Sequence, residues 1–157
     1  MKIRADPAMG LRAAATGQIR CDEVVGPASA RLGASAEAAT AAYRECVRLS
    51  RLAWCAMAAG TGKAVLDYVI PYVNDRQAFG EPISHRQSVA FMVADIAIEL
   101  ESMRLTTLRA ASLAEQGKPY AREAAIARRL CVDKGMQIGS DGVQLLGGHG
   151  FTKEYPV

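Results

Sequence analysis

The sequence is poor in the residues that metal sites require. Only two of its 157 residues are histidine, and none of its four cysteines (Cys21, Cys46, Cys55 and Cys131) forms a CxxC pair. Two histidines are too few to complete a plausible zinc site. We therefore predict no metal site, and we expect reduced, mostly buried thiols, as in a cytoplasmic protein.

The sequence also lacks a strong charge of one sign and any long apolar run. Its 19 basic and 16 acidic residues are interspersed and leave a net charge of +3, which is too balanced to indicate a nucleic-acid partner. There is no signal peptide and no apolar stretch of transmembrane length, so no membrane span is predicted. Half of the residues are apolar, enough to form the core of one domain.

Residues 1–33 differ in pattern from the rest of the chain. Residues 17–25 alternate short apolar and polar side chains before a Gly-Pro pair, which predicts a strand followed by a turn. Gly10 and Gly17 bracket a second short extended piece. Because two strands alone cannot bury a sheet face, we interpret 1–33 as the end of a β-domain whose beginning is missing or is supplied by a partner.

Residues 34–157 are alanine-rich and predict a mainly α fold, an up-down bundle of three long helices with short connections. The first helix covers about 36–74, and Pro71 should kink it near its end because proline lacks an amide hydrogen. Gly60 and Gly62 predict a close helix crossing, since a helix tolerates glycine where another backbone packs tightly. Most such bundles have four helices, so we expect the domain to be incomplete, its last helix following this sequence or coming from another chain.

The second and third helices have recognisable boundaries and faces. Ser84 can cap the second helix with Gln87 at its third position, as in a capping box, and a Gly-Lys-Pro sequence ends it. Its buried stripe has spacings of 3, 4, 4 and 3 and consists of Val89, Met92, Ile96, Leu100 and Met103. Phe91, Ala94, Ile98 and Leu105 widen this stripe and predict packing on more than one neighbour. The third helix covers about 120–145 and carries a stripe of small residues that allows close approach of another helix.

Two glycine-containing segments could bind a large, flat, phosphate-bearing ligand. In the first, 76–80, Arg76 could bind a pyrophosphate through both arms of its guanidinium group, and Phe79 could lie against an aromatic ring. Alternatively, Arg76 could interact with the C-terminus of its own helix. Gln87 could be a capping partner only, or could bind the polar edge of a ligand at the helix N-terminus.

The second segment, 144–151, has the sequence QLLGGHGF. Its glycines could form a simple helix C-cap, or they could let a ligand approach the backbone closely. His149 is expected to be exposed and solvated rather than catalytic.

Two further side chains on the first helix have open interpretations. Arg51 shares a helix face with Arg48 and could hold an anionic or thioester ligand, or belong to a solvated or salt-bridged face. Trp54 is interpreted as a core residue rather than as a stacking platform. No pair of carboxylates has a convincing spacing for acid–base catalysis.

Taken in order, these segments resemble the C-terminal half of an acyl-CoA dehydrogenase. Residues 10–17 and 22–27 resemble the last strands of the family's middle β-domain. Residues 75–83, with Gln87, resemble its flavin-contacting turn and the following helix, and 142–157 resemble its other signature segment. The resemblance implies FAD-dependent α,β-dehydrogenation of an acyl-CoA thioester, with 1–33 as the end of the middle β-domain and 34–157 as the C-terminal helical bundle.

The resemblance also implies ten FAD contacts, made to a cofactor that another subunit holds in the main, and therefore a dimer or tetramer. The ten positions are Arg76, Gln77, Ala78, Phe79, Gln87, Gln144, Leu145, Leu146, Gly147 and Gly148. Arg51 matches a helix arginine near the bound acyl-CoA. Arg48 stands where many members carry an acidic residue.

The resemblance assigns no catalytic residue within the chain. The family's usual glutamate lies beyond Val157, and a minority position on the first long helix is occupied here by Ser50, which cannot act as a base. We therefore expect part of an acyl-CoA dehydrogenase that is not active as this chain alone. One alternative is a non-catalytic assembly subunit that gives flavin contacts and helix packing to a partner. Another is a free-standing helical protein that retains an ancestral sequence.

Overall fold

Three long helices dominate the computed structural model, which describes residues 2–7, 16–30 and 32–156. The chain divides into two compact units, Met1–Ala42 and Tyr43–Val157. Among the described residues, none of the helices is both long and apolar enough to cross a bilayer.

The first unit contains a two-stranded antiparallel ribbon. Strand β1 (Lys2–Ala5) pairs with strand β2 (Gly17–Arg20), with Ile3 opposite Ile19, and both strands are exposed throughout. The β2 strand is shorter than the predicted 17–25, because the chain bends after Cys21 and Glu23 has a φ of 49°. Most of the predicted extended piece between Gly10 and Gly17 lies outside the described residues. The short β element at the start of the chain is confirmed.

Helix α1 (Ala36–Asp75) is continuous over 40 residues. The Ser35 hydroxyl accepts a hydrogen bond from the Ala38 amide at 3.1 Å, which caps the start of the helix. The helix continues through Pro71 for four more residues. One long first helix is therefore confirmed.

A tight hairpin joins α1 to the next helix. Strand β3 (Gln77–Ala78) pairs with strand β4 (Glu81–Pro82). The two turn residues, Phe79 and Gly80, have φ values of 58° and 86°. Positive φ at both central positions is what a type I′ hairpin turn requires, so the chain reverses here within two residues.

Helix α2 (Gln87–Glu115) begins later than the predicted capping box implies. Ser84 lies inside a short 3-10 helix, Ile83–His85, and Arg86 then adopts an extended conformation at the N-cap position. Among the described residues, no side chain caps α2. The capping-box prediction is wrong because the 3-10 turn occupies the residues that would have formed it, and Gln87 is the first residue of the helix.

The contacts between helices establish an up-down arrangement. Helices α1 and α3 (Ala121–Leu146) run in the same direction, since Tyr120 just before α3 bonds Glu45 near the start of α1, and Leu146 at its end bonds Tyr72. Helix α2 runs against both. Its Glu99 pairs with Lys134 of α3, whereas its later residue Thr107 contacts the earlier Cys131. The predicted bundle is confirmed.

One apolar cluster holds the three helices together, and it includes the predicted stripe of α2. Its fully or nearly fully buried members include Val69, Ile96, Met103, Ala127 and Ile138. The additional apolar face of α2, predicted to pack on a further neighbour, is exposed: Phe91, Ala94, Ile98 and Leu105. The described part of the chain therefore buries only one side of α2.

The predicted close crossing is confirmed at Gly62 and wrong at Gly60. Gly62 is buried, and a Cβ atom there would lie 3.4 Å from side-chain atoms of both Leu100 and Ile138. Gly60 is exposed, and a Cβ atom there would have no neighbour within 4 Å in the part of the chain that the structure describes. The two glycines are two positions apart in α1, so they face different directions.

Candidate functional site

The two glycine-containing segments meet at one cavity of about 410 Å³. It lies where the ends of α1 and α3 face the hairpin and the first turn of α2. Eight of the ten predicted contact positions line it: Arg76, Ala78, Phe79, Gln144, Leu145, Leu146, Gly147 and Gly148. Residues more than sixty positions apart are brought together because α1 and α3 are parallel and end at the same level.

Gln77 and Gln87 do not line this cavity and are exposed. Successive residues of a strand point in opposite directions, so Ala78 faces the cavity and Gln77 faces away. Gln87 starts α2, and the cavity is lined instead by Ser88 and Val89. A ligand contact at either glutamine stays a prediction.

Arg76 presents an unpaired positive charge at the cavity. Its amide donates to the Tyr72 carbonyl at 2.9 Å, and its own carbonyl accepts from the Ile83 amide at 2.9 Å. The backbone is therefore fixed by both α1 and the hairpin. The guanidinium group has neither a hydrogen bond nor an ion pair with the described residues, so it does not cap its own helix and can receive an anion.

Phe79 and Arg86 form a stacked pair at the same cavity. The guanidinium carbon of Arg86 lies 4.7 Å from the centroid of the Phe79 ring, within cation–π range. Phe79 is 92% exposed, so its other ring face is open. Its positive φ costs about 1–2 kcal/mol in a non-glycine residue, and the hairpin turn maintains it.

Arg86 also carries an orphaned buried nitrogen. Its Nε is the one buried side-chain nitrogen or oxygen without a hydrogen-bond partner in the part of the chain that the structure describes. The nearest carboxylate, that of Glu81, lies 3.7 Å from Nη2. A buried donor without an acceptor is unfavourable, and an anionic ligand would relieve it. Sequence reasoning missed Arg86, because a basic residue before a helix is not by itself a binding signal.

The glycines of the second segment occupy their positions for different structural reasons. Gly147 ends α3 with a φ of 59° and a ψ of −132°, and its amide donates to the Gln144 carbonyl. At Gly150 a Cβ atom would lie 2.4 Å from the Val143 carbonyl oxygen, so only glycine fits. At Gly148 a Cβ atom would meet no atom of the described residues within 4 Å. The helix C-cap interpretation thus explains Gly147, whereas Gly148 leaves backbone open toward the cavity.

His149 is half-buried and lines the cavity, so the prediction that it is exposed is wrong. Its Nδ1 lies 2.8 Å from the Tyr72 hydroxyl, and its ring stacks on Tyr155 with centroids 4.7 Å apart and planes at 7°. The 3-10 helix Gly147–Phe151 turns the chain back so that Tyr155 reaches the end of α1. The flanking glycines gave no indication of these two tyrosines.

Arg51 lies at a different cavity, of about 430 Å³, between α1 and α3. Arg128, Cys55 and Trp54 line it as well. Trp54 is 48% exposed, so its interpretation as a core residue is wrong. Arg51 has no ion pair among the described residues, in contrast to its neighbour Arg48.

Arg48 belongs to a salt-bridged group at the start of α1. Its Nη1 lies 2.8 Å from a Glu45 carboxylate oxygen, and its guanidinium lies 5.6 Å from the centroid of the Tyr120 ring. The Tyr120 hydroxyl donates to the other oxygen of Glu45. The salt-bridge alternative therefore holds for Arg48.

The 410 Å³ cavity can bind a flat, anionic ligand but offers no carboxylate for proton transfer. Arg76 and Arg86 supply positive charge, Phe79 an open aromatic face, and Gly148 an open stretch of backbone. No aspartate or glutamate is among the described residues that line it. The donor set fits a phosphate-bearing aromatic cofactor.

Comparisons with known proteins agree on one family. Residues 40–157 match the family model described as acyl-CoA dehydrogenase, C-terminal domain. The short-chain specific acyl-CoA dehydrogenase of Megasphaera elsdenii is 32% identical over 149 residues, which are 95% of this chain and 39% of that protein. The chain thus spans about two fifths of the length of this curated relative.

Solved structures give the same result. Butyryl-CoA dehydrogenase from Megasphaera elsdenii superposes with a TM-score of 0.66 at 36% identity, covering 68% of this chain and 28% of that one. A structure of PigA with FAD and proline superposes with a TM-score of 0.71 at 27% identity, covering 73% of this chain and 30% of that one.

Proposed function

The chain belongs to the acyl-CoA dehydrogenase family, and we propose that it forms part of an FAD-dependent enzyme that dehydrogenates an acyl-CoA thioester between its α and β carbons. The observation that carries this proposal is the meeting of the Arg76–Phe79 and Gln144–Gly148 segments at one cavity. Each segment alone has a structural explanation as a helix end. Their convergence on a cavity with unpaired positive charge does not follow from helix capping.

The residues of the cavity fit FAD by their chemistry. Bound FAD would supply the hydride acceptor of the reaction. Arg76 would hold a phosphate group through its unpaired guanidinium, and Arg86 would gain an acceptor for its orphaned nitrogen. Phe79 would lie against an aromatic ring of the cofactor with its open face, and Gly148 would allow close approach to the backbone.

The proposed enzyme is an assembly in which this chain contributes to a shared cofactor site. Arg76 and Phe79 at the cavity are exposed. The apolar face of α2 with Phe91, Ile98 and Leu105 is also exposed in the described chain. We propose a dimer or tetramer, with FAD between subunits. Arg51, at the second cavity, is the proposed contact of the acyl-CoA. A cytoplasmic location stays a prediction.

A non-catalytic assembly role is the second candidate, and the side chains of α1 favour it for this chain alone. The Ser50 hydroxyl donates to the Cys46 carbonyl of its own helix at 2.8 Å. Glu45 is engaged by Tyr120 and Arg48. No carboxylate in the described chain lines the 410 Å³ cavity. A base for removal of the α-proton would then come from other parts of the assembly.

Flavin binding by the Arg76→Ala variant tests the proposal. We expect the wild-type chain to bind FAD, measured by flavin fluorescence, and the variant to bind it about tenfold or more weakly, since a hydrogen bond to a charged group contributes about 1.5–3 kcal/mol. The matched control is Arg109→Ala, which removes the same charge from an exposed position of α2 outside the cavity. Equal FAD affinity in all three proteins, or a wild-type chain that never takes up flavin, would contradict the proposal.

A further inference from the structure

Hydrogen-bond geometry around Tyr72 determines where its proton lies. The Tyr72 hydroxyl oxygen is 3.1 Å from the Leu146 carbonyl oxygen and 2.8 Å from Nδ1 of His149. A carbonyl oxygen can only accept, so the single hydroxyl hydrogen points to Leu146. Toward His149 the hydroxyl oxygen is therefore the acceptor, and Nδ1 must carry the donated hydrogen.

The protonation state of the Tyr72 hydroxyl is compatible with this assignment. Burial raises the pKa of the Tyr72 hydroxyl above its ordinary value, an effect that the nearby Arg76 charge opposes and that Tyr155 and Tyr68 reinforce. The hydroxyl therefore keeps its proton at neutral pH and can donate it. The T-shaped contact of Tyr72 with the imidazole, at a centroid distance of 6.0 Å, holds the two side chains in this arrangement.

A neutral histidine that is protonated at Nδ1 has a bare Nε2. Nε2 of His149 has no hydrogen-bond partner among the described residues. It is also not buried, because Arg86 Nε is the one buried and unpartnered side-chain nitrogen there. Tyr155 covers one face of the imidazole, and the residue lines the 410 Å³ cavity. The ring nitrogen that remains free is thus a hydrogen-bond acceptor at the cavity wall.

We propose that His149 is a ligand-binding residue, which Tyr72 holds in the Nδ1–H tautomer and which accepts a hydrogen bond through Nε2 from the nucleoside part of a bound dinucleotide. This inference rests on the proposed function of the cavity. Amino groups of a base and hydroxyl groups of a ribose can donate to Nε2, whereas an ionised phosphate only accepts. Arg76 and His149 would therefore distinguish the two ends of the ligand, since one offers donors and the other an acceptor.

The tautomer can be measured without any ligand. Nitrogen-15 spectra of the ring nitrogens at about pH 8, above the ordinary histidine pKa, report which nitrogen carries the hydrogen. The chain has only two histidines, so a His85→Gln variant assigns both sets of signals. We expect His149 to be protonated at Nδ1 in the wild type and to shift toward Nε2–H in Tyr72→Phe.

The matched control is Tyr68→Phe. Tyr68 contacts Tyr155 edge-on at 6.4 Å, but in the described structure it has no hydrogen bond to His149 and does not line the cavity. Its replacement should leave the His149 tautomer unchanged. A wild-type His149 protonated mainly at Nε2, or a tautomer that Tyr72→Phe does not change, would overturn the assignment.

Ligand binding is tested with His149→Phe, which keeps a ring against Tyr155 but removes the acceptor. With FAD as the probe, we expect about fivefold to tenfold weaker binding, the loss of about one hydrogen bond, and a shift of the Nε2 signal when FAD is added to the wild type. An FAD analogue with hypoxanthine in place of adenine separates the donors, since it lacks the amino group. If affinity falls with adenine replacement, the amino group is the donor; if it does not, a ribose hydroxyl is.

The outcomes separate this inference from the proposed function. If the wild type binds FAD and His149→Phe binds it equally well, the ligand role of His149 is refuted while the proposed function stands. If the wild type binds no FAD, the proposed function fails for this chain and the ligand role of His149 fails with it. The Nδ1–H tautomer is decided by the spectra in either case.

Discussion

A Cβ atom on Gly62 of α1 would lie 3.4 Å from the Cδ1 atom of Ile138 in α3. Leu100 of α2 would be equally close. Ordinary van der Waals contact between carbon atoms occurs at about 3.5–4.0 Å. The three helices therefore meet at Gly62 with room for at most a methyl group.

Larger side chains should be tolerated at Gly60 of α1 but should destabilise the chain at Gly62. Gly60→Ala should stabilise the chain by about 0.5–1 kcal/mol, because alanine favours the helix and Gly60 has open space around it. Gly62→Ala should gain less, and Gly62→Leu should destabilise by about 1–3 kcal/mol by overpacking the crossing. Urea unfolding curves measure all three. A Gly60→Leu variant is the size control, and a loss at position 60 equal to that at 62 would contradict the crossing.

Gly148 and Gly150, in the turn after α3, provide a second pair of glycine substitutions to compare. Gly150→Ala would place a methyl group 2.4 Å from the Val143 carbonyl oxygen and should lower the melting temperature, since backbone must move. The methyl group of Gly148→Ala would meet no described atom within 4 Å. This substitution should therefore change the free energy of unfolding by no more than about 0.5 kcal/mol and leave the melting temperature nearly unchanged. If a ligand lies against this backbone as proposed, Gly148→Ala should still weaken FAD binding. Equal effects of the two substitutions on melting would count against this geometry.

The helices were predictable because their signals are local and repeated. The stripe from Val89 to Met103 recurs at helical spacing, so one inconsistent residue cannot change the interpretation. The two signature segments were predictable for another reason: a resemblance links residues that no periodicity connects. The structure adds that α1 and α3 are parallel, which places Arg76 and Gly148 at one cavity.

The failures occurred where a residue's surroundings come from distant parts of the chain. His149 was expected to be exposed because its neighbours in sequence are glycines, yet Tyr72 lies 77 positions away and encloses it. The capping-box prediction was wrong because it rested on the residue type of Ser84 alone. In the structure Ser84 lies inside a 3-10 turn that follows the hairpin, so it is not at the start of α2. No sequence pattern indicated a role for Arg86, because its unpartnered nitrogen results from the way the chain folds around Phe79.

Buried tyrosines should make the chain lose stability in alkali. Burial, followed by the hydrogen bond to Glu45, raises the pKa of Tyr120 above its ordinary value. The folded state thus holds this proton more tightly than the unfolded state. The stabilisation of the fold that comes from the protonated Tyr120 hydroxyl is fully present below the pKa of an unfolded tyrosine, about 10. It is lost as the pH rises from there through the raised pKa of the folded state.

Removing the Tyr120 hydroxyl should reduce this loss of stability at alkaline pH. Tyr120→Phe should be less stable than the wild type at neutral pH, because its bond to Glu45 is gone, but its unfolding free energy should fall less steeply above about pH 10. Denaturant unfolding at several pH values measures the slope. Tyr43→Phe is the control, since Tyr43 is 70% exposed. Parallel pH profiles for wild type and Tyr120→Phe would refute the assignment.

The four free cysteines should divide into two reactive and two inert thiols. Cys21 and Cys46 are exposed, whereas Cys55 and Cys131 are buried; the expectation of mostly buried thiols is thus correct for two of the four. Burial, reinforced by the adjacent Cys131, raises the pKa of the Cys55 thiol to about 12. Only the thiolate reacts with disulfide reagents, so at about pH 8 the buried Cys55 thiol should be largely unreactive.

A thiol titration with an aromatic disulfide reagent measures this division. We expect two thiols to react rapidly in the native chain and the remaining two only when denaturant is added, because unfolding exposes them and returns the pKa to its ordinary range. A Cys21→Ser, Cys46→Ser double variant should show no rapid phase and the same unfolding midpoint as the wild type. Rapid reaction of a third thiol in the native wild type would mean that the crossing between α1 and α3 opens, and would contradict the packing of Cys55 against Cys131 in the core.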